Sequence, residues 1–289
     1  MLQSLRDRGF EIRFLSHAEA ILSVDFPQAL QELEKALGGA TVPIEEIIAG
    51  GGGESKGTQR LRRALNALNW PKALFEVEKH ISVRRLRQKR PPAAGEADLV
   101  NRERLESQSH EIDHVRSFEE GPKTTRVALE IEWNNKDPFF DRDLENFKRL
   151  HADGAISVGV IVTRGQSLQD SMHNLVMRFL NDRNISDLEA LRDWGYDPTA
   201  KQRRAIEGRA GREKSPVPFR SAFTDKFVAD KFGEATTHWR KLEDRINRGV
   251  GNPCPLLLVG LPTAIVTFEE GQSALAEVER LEHGEADEG

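Results

Sequence analysis

Apolar residues recur at helical spacing in several segments of the chain. Residues 26–37 and 54–68 place leucines three or four positions apart, which predicts two amphipathic helices. The pattern predicts further helices after Pro138, over residues 168–180 and over residues 223–247. The apolar positions of the helix after Pro138 are Phe140, Leu144, Phe147 and Leu150.

Other segments have the pattern of β-strands. Residues 73–83 alternate between apolar and polar side chains, and residues 125–133 are rich in strand-forming residues at both ends. Residues 156–163 and 254–259 are continuous apolar runs, typical of buried strands, and residues 264–268 are predicted as a short last strand. Because strands and helices alternate, we expect an α/β fold with a central mixed β-sheet flanked by helices.

The chain length of 289 residues fits one large domain or two small ones. We expect one domain over residues 1–267, with a polar, loop-rich insertion at about 182–222 that contains one basic helix. No apolar run approaches the roughly 20 residues of a membrane helix, and the first residues lack the apolar core of a secretion signal. Cys254 is the single cysteine, which excludes intramolecular disulfides and favours a reducing cytoplasm.

The net charge of −5 hides an uneven distribution. Residues 268–289 form an acidic tail with eight acids and one base, so the rest of the chain carries 41 basic and 39 acidic residues. Ten lysines and arginines lie in residues 60–90, and six lie in residues 201–214. Such runs are either solvated helix faces or surfaces that bind phosphates.

Residues 110–114 read His-Glu-Ile-Asp-His, which matches the zinc-protease pattern H-E-x-x-H. On a helix, that spacing places both imidazoles on one face, and Glu132 offers a third ligand. Here the motif is soon followed by Gly121-Pro122 and a predicted strand, so a hairpin fits better than a long helix. A zinc metalloprotease remains one alternative.

A second interpretation of this region starts from Asp113. Glu130 and Glu132 are two positions apart on the next predicted strand, so their side chains project from one face, and a hairpin returns that face to Asp113. Three converging carboxylates repel one another unless a divalent cation neutralises them, and oxygen ligands favour Mg²⁺ or Mn²⁺. The alternative is that these acids cover a solvated sheet face, although Trp133 and the helix that follows favour partial burial.

The stretch from His110 to Arg164 resembles type II restriction endonucleases of the BamHI/BglII group. The resemblance is carried by Asp113, by Glu130-Ile131-Glu132 and by the following Trp133-Asn134-Asn135 and buried strand. These enzymes are PD-(D/E)xK nucleases, and Glu132 replaces their usual lysine, as in an E-x-E variant. A further departure is Ile112, which stands where a proline is usual. The resemblance implies a restriction-endonuclease-like core and a single nuclease domain.

The resemblance also implies roles for individual residues. Asp113 and Glu130 would hold Mg²⁺, for which Mn²⁺ may substitute, with the carbonyl of Ile131 as a further ligand. Glu132 would act as the general base or bind a second metal. Glu54, at the start of a predicted helix, is a candidate fourth carboxylate, although an acid there is also typical of a helix N-terminus.

The same resemblance suggests DNA contacts after the catalytic strand. Asn134 and Asn135 are candidates for base contacts in the major groove, and Arg142 for a guanine or a phosphate. The alternative is that the asparagines are ordinary turn or capping residues. Candidate phosphate contacts further along the chain are Thr236, Thr237 and His238, for which the alternative is that they begin or face a helix.

These observations predict a magnesium-dependent, site-specific endonuclease that cuts double-stranded DNA and leaves 5′-phosphates. We expect it to act as a homodimer, because one active site cuts one strand of a two-fold symmetric duplex. A cognate DNA methyltransferase would be its genetic partner, and a bacterial or archaeal cytoplasm its location. A structure-specific or repair nuclease with the same core, and a DNA-binding protein with structural acids, are the remaining alternatives.

Overall fold

The computed structural model describes residues 1–49, 54–85, 98–120 and 123–268. The last five positions of the basic run, 86–90, and residues 269–289 of the predicted acidic tail lie outside the described residues. None of the helices in the described ranges combines the length and apolarity needed to cross a bilayer.

The secondary structure alternates helices and strands along the chain. The helices of the described residues are α1 (Gln3–Asp7), α2 (Ala18–Val24), α3 (Pro27–Gly38), α4 (Ile44–Ala49), α5 (Lys56–Ala67), α6 (Phe139–Ala152), α7 (Gln166–Asp182), α8 (Leu188–Arg192), α9 (Ala200–Ala210), α10 (Phe219–Lys231) and α11 (Trp239–Asn247). The strands are β1 (Glu11–Leu15), β2 (Val42–Pro43), β3 (Ala73–Arg85), β4 (Asp98–Ile112), β5 (His114–Glu120), β6 (Lys123–Glu132), β7 (Val158–Arg164), β8 (Leu256–Leu261) and β9 (Val266–Thr267).

The central sheet has five strands in the order β1-β8-β7-β6-β5. β6, β7 and β8 are parallel, whereas β1 and β5 pair antiparallel at the two edges. β3 and β4 form a separate long antiparallel hairpin, and β4 continues through Asp113 into β5. The predicted mixed sheet flanked by helices is therefore confirmed.

Both faces of the sheet are covered by apolar side chains. On β6, Val127, Leu129 and Ile131 face one core, and Ala128 faces a second core. The second core contains α6 and α11, and the apolar face predicted for α6 is fully buried in it. The alternation of side chains along β6 thus decides which residues lie beneath α6.

Several parts of the chain differ from the prediction, and three of them bear on the sheet and on the segment before α11. β1 was missed, because five residues are too few to establish a pattern. Residues 182–222 are more helical than expected: α9 is the basic helix, α8 precedes it, and both add buried side chains to the core. The single helix predicted over residues 223–247 is two helices, because residues 232–238 leave helical geometry and Thr236 pairs with Lys136 after β6.

The packing of α6 on the sheet gives a stability prediction. A Cβ atom added to Gly159 of β7 would lie 2.8 Å from Cγ of Phe147 on α6. We expect Gly159→Ala to lower the free energy of unfolding by about 1–3 kcal/mol, the usual range for overpacking, as measured by urea denaturation. Gly208→Ala is the control, because nothing lies within 4 Å of its added Cβ, and a loss of equal size there would contradict the packing argument.

Candidate active site

Glu130 and Glu132 lie on the face of the sheet that α6 covers. They continue the row begun by Ala128, because even-numbered positions of β6 point to this side. Both glutamates are buried. The sequence thus predicted their shared face, and α6 accounts for their burial.

Asp113 lies at the bend between β4 and β5, beside the end of β6. The pairing of β5 with β6 ends at His114 and Leu129, so residues 130–132 extend beyond it. Asp113 occupies this edge: its Oδ2 accepts a hydrogen bond from the Ile131 amide at 3.2 Å, and its own amide donates to Oε2 of Glu130 at 3.3 Å. Asp113 and Glu130 are therefore held together, as the hairpin prediction requires.

Asp143 is a fourth acid of this site that the sequence analysis missed. It lies on α6 and is completely buried against the sheet. Its position falls between Phe140, Leu144 and Phe147 on the apolar face of the helix. A charged residue on an otherwise apolar face was the signal that would have identified it.

Glu132 makes polar contacts with three neighbours. Its Oε2 accepts a hydrogen bond from Nδ2 of Asn135 at 2.9 Å, and its Oε1 lies 3.6 Å from Nη2 of Arg142. Its carboxyl group also lies within hydrogen-bonding reach of Asp143. Glu132 is thus oriented from both the loop after β6 and the first turn of α6.

Burial and mutual repulsion shift the ionisation of these acids. Burial raises the pKa of Glu130, and the negative charges of Asp143 and Asp113 raise it further. Burial also raises the pKa of Glu132, with a further contribution from Asp143. The site therefore favours protons or cations over free carboxylates.

The acids are arranged as two pairs, Asp113 with Glu130 and Glu132 with Asp143. Within the described ranges, no three His, Cys, Asp or Glu side chains already surround one point as a metal site. The donors nevertheless fit Mg²⁺ or Mn²⁺, because they are oxygens and Oδ2 of Asp143 is buried without a hydrogen-bond donor. The Ile131 carbonyl and Glu54 are the other ligand candidates; Glu54 is exposed, and its carboxylate pairs with Arg62 at 3.3 Å.

Two residues after β6, Asn135 and Arg142, contact the acids although both are exposed to solvent. Nε of Arg142 donates to Oδ1 of Asp143 at 2.8 Å, and Asn135 binds Glu132. Asn134 keeps a buried Oδ1 without a donor. Neither asparagine caps α6, because its N-cap position is Pro138 and no side chain caps it.

The candidate phosphate contacts before α11 need correction. Thr237 and His238 are completely buried, so neither side chain reaches a DNA backbone in this conformation. Thr237 Oγ1 instead accepts from the Asn135 amide at 3.0 Å. Thr236 is half-buried and accepts from Nη2 of Arg164 at 2.7 Å. The segment holds the loop after β6 in place.

One cation of the basic run, Lys72, lies near enough to Asp113 for their charges to interact. Lys72 is exposed, and its Nζ lies 2.5 Å from Oε1 of Glu111. The Glu111 hydrogen bond raises the pKa of Lys72, and the charge of Asp113 contributes, whereas Arg62 opposes it. Positive charge thus faces solvent next to the acids.

The zinc-protease interpretation is wrong. His110 lies in β4, two residues before its end, and His114 begins β5, so the motif is extended rather than helical. Four residues of extended chain span roughly 13 Å, which separates the two imidazoles. His114 is buried, and its Nδ1 lies 2.8 Å from the Trp70 carbonyl.

A comparison with protein families gives a match over most of the chain. Residues 10–261 match the family described as Restriction endonuclease BglII/BglIII. No curated protein matches the chain. The matched range runs from the start of β1 to the end of β8 and includes all four acids of the site. The protein belongs to the BglII/BglIII family of restriction endonucleases, and is thus a type II site-specific deoxyribonuclease.

Proposed function

We propose that this endonuclease requires Mg²⁺ and cuts duplex DNA to leave 5′-phosphates, with Asp113, Glu130 and Glu132 as its catalytic acids. The observation that supports this best is the hydrogen-bonded Asp113–Glu130 pair, with Glu132 two residues further on the same face of β6. Mn²⁺ has similar ligand preferences and would substitute.

Each acid has a distinct task in this proposal. Asp113 and Glu130 supply carboxylate oxygens to the cation, and the Ile131 carbonyl is a further ligand. Bound Mg²⁺ supplies Lewis-acid chemistry at the scissile phosphate. Glu132 accepts the proton of the attacking water or binds a second metal, and Asn135 holds Glu132 in position through its 2.9 Å hydrogen bond. Water adds its oxygen to phosphorus while the 3′ oxygen leaves, which yields a 5′-phosphate.

We place the DNA backbone on the exposed side of Asp113. The charge of Asp113 acts on exposed Lys72, and Arg62 also acts on Lys72, so these two cations would supply the positive charge that phosphates require. The loop after β6, with Asn134 and Asn135, would approach the major groove, and Arg142 would leave the acids to contact DNA. Thr236 is the one candidate before α11 that is not fully buried.

The two-fold symmetry of the DNA substrate suggests how many subunits act together. Two identical subunits place two active sites on opposite strands, so we propose a homodimer. A cell that contains such an enzyme must protect its own sites, so we propose a cognate DNA methyltransferase as its genetic partner. Both would act in a bacterial or archaeal cytoplasm, where the cellular DNA lies.

The overall proposal is tested with unmethylated plasmid DNA. We expect discrete fragments with 5′-phosphate ends in Mg²⁺ and no cleavage in EDTA, as read by gel electrophoresis and end labelling. A smear or nicked circles would favour a repair nuclease. Binding without cleavage in either Mg²⁺ or Mn²⁺ would favour a DNA-binding protein.

The catalytic acids are tested by neutralising them singly. Asp113→Asn and Glu130→Ala should each reduce the single-turnover cleavage rate by about a thousandfold or more, which is about 4 kcal/mol of barrier. DNA binding in EDTA should persist or tighten, because a charge that repels phosphate is removed. Glu145→Gln, on the outer side of α6, is the control. Wild-type cleavage by either variant would refute the assignment.

The raised pKa values give a prediction about pH and stability. Folded Glu130 and Glu132 keep protons that the unfolded chain releases above its ordinary pKa near 4.5. The free energy of unfolding in EDTA should therefore fall as pH rises from about 5 toward the raised pKa values of Glu130 and Glu132. Urea denaturation of Glu130→Gln should show a weaker pH dependence than wild type. If the free energy of unfolding depended on pH equally in the two proteins, the pKa of Glu130 would not be raised in the folded state.

A further inference from the structure

Asp143 is placed where a side chain without charge would be expected. It is 0% exposed and shares the buried face of α6 with Phe140, Leu144 and Phe147. An ionised carboxylate in such surroundings strongly destabilises a fold unless its oxygens are matched by donors or cations. The surroundings of its two oxygens therefore decide what Asp143 does.

Only one of these oxygens has a donor. Nε of Arg142 donates to Oδ1 at 2.8 Å, whereas Oδ2 is buried and receives no hydrogen bond from an N–H or hydroxyl group. Another polar neighbour of the Asp143 carboxyl group is the carboxyl group of Glu132, which lies within hydrogen-bonding reach. The Arg142 side chain is 55% exposed and stacks on Phe139, with the guanidinium carbon 4.4 Å from the ring centre. A half-exposed arginine compensates a buried carboxylate incompletely.

The carboxyl group of Asp143 faces that of Glu132. Glu132 has its Oε2 hydrogen-bonded to Asn135, and its Oε1 lies 3.6 Å from Arg142. Arg142 thus reaches both acids from the solvent side. Two facing carboxylates with an orphaned oxygen and a displaceable cation above them are the arrangement that a divalent ion would complete.

We propose that Asp143 is a cation ligand of the nuclease site, and that with Glu132 it forms a divalent-cation position beside the Asp113–Glu130 pair. Arg142 balances the charge that remains on the Glu132–Asp143 pair, and a bound ion would displace Arg142 toward solvent. This inference rests on the proposed metal dependence. It adds a second carboxylate pair to the site and gives the buried charge on α6 a function.

A purely structural role for Asp143 predicts different behaviour. If Asp143 only anchors Arg142, loss of either residue should have the same effect, and neither should change the number of ions bound. If Asp143 holds an ion with which Arg142 competes, the two substitutions should have opposite effects on metal affinity. The sign of the change therefore separates the two roles.

The experiment measures Mn²⁺ binding to the full chain without DNA, by calorimetric titration and by electron paramagnetic resonance of free Mn²⁺. We expect Asp143→Asn to lose one bound ion or to bind it at least tenfold more weakly, and Arg142→Gln to bind it more tightly. Glu145→Gln on the same helix is the matched control and should titrate like wild type. Wild-type titration of Asp143→Asn, or weaker binding in both Asp143→Asn and Arg142→Gln, would overturn the inference.

Control titrations separate a failure of this inference from a failure of the proposed function. Asp113→Asn should weaken Mn²⁺ binding because Asp113 belongs to the first pair; if it does so while Asp143→Asn binds like wild type, only the inference about Asp143 fails. Wild-type protein that binds no Mn²⁺ would refute the proposed function itself. If Asp143→Asn does not fold, Asp143→Ser, which also removes the buried charge, is judged by the same criteria.

Discussion

The alternation of side chains along β6 is the constraint on which the active site depends. Successive residues of a strand point to opposite faces, so Val127, Leu129 and Ile131 enter one core while Ala128 begins the row on the other face. That row continues into Glu130 and Glu132 at the strand end. β6 is buried on both faces and therefore carries two acids beneath α6. The surrounding elements supply hydrogen-bond donors and a cation to these acids.

Hydrogen-bond donors do not match all the carboxylate oxygens of the candidate site. Backbone amides and Asn135 donate to some of the carboxylate oxygens, and Arg142 approaches from solvent. Burial and repulsion nevertheless raise the pKa of Glu130 and of Glu132. Ionising these acids therefore lowers the stability of the folded protein at the candidate site. Proteins commonly break packing rules at functional sites, and the buried charge of Asp143 is such a place.

The loop that orients Glu132 depends on a distant part of the chain. Thr237 donates its amide to the Asn135 carbonyl at 2.9 Å, and its hydroxyl accepts from the Asn135 amide at 3.0 Å. Arg164, at the end of β7, donates to the Thr237 carbonyl at 2.7 Å. Thr237, which the sequence suggested for phosphate contact, thus holds the asparagine that positions Glu132.

The sequence by itself determined the order of the main strands and helices, the shared face of Glu130 and Glu132, and the nearness of Asp113 to Glu130. These features depend on local periodicity and on a hairpin, which are short-range properties that a linear pattern carries. Only the tertiary structure decided that Asp143 joins these acids and that Thr237 and His238 are buried. It also decided that residues 232–238 leave helical geometry, where Thr236 pairs with the loop after β6. Those outcomes depend on contacts between residues far apart in the chain, because burial and charge repulsion arise only when α6 and the segment before α11 pack on the sheet.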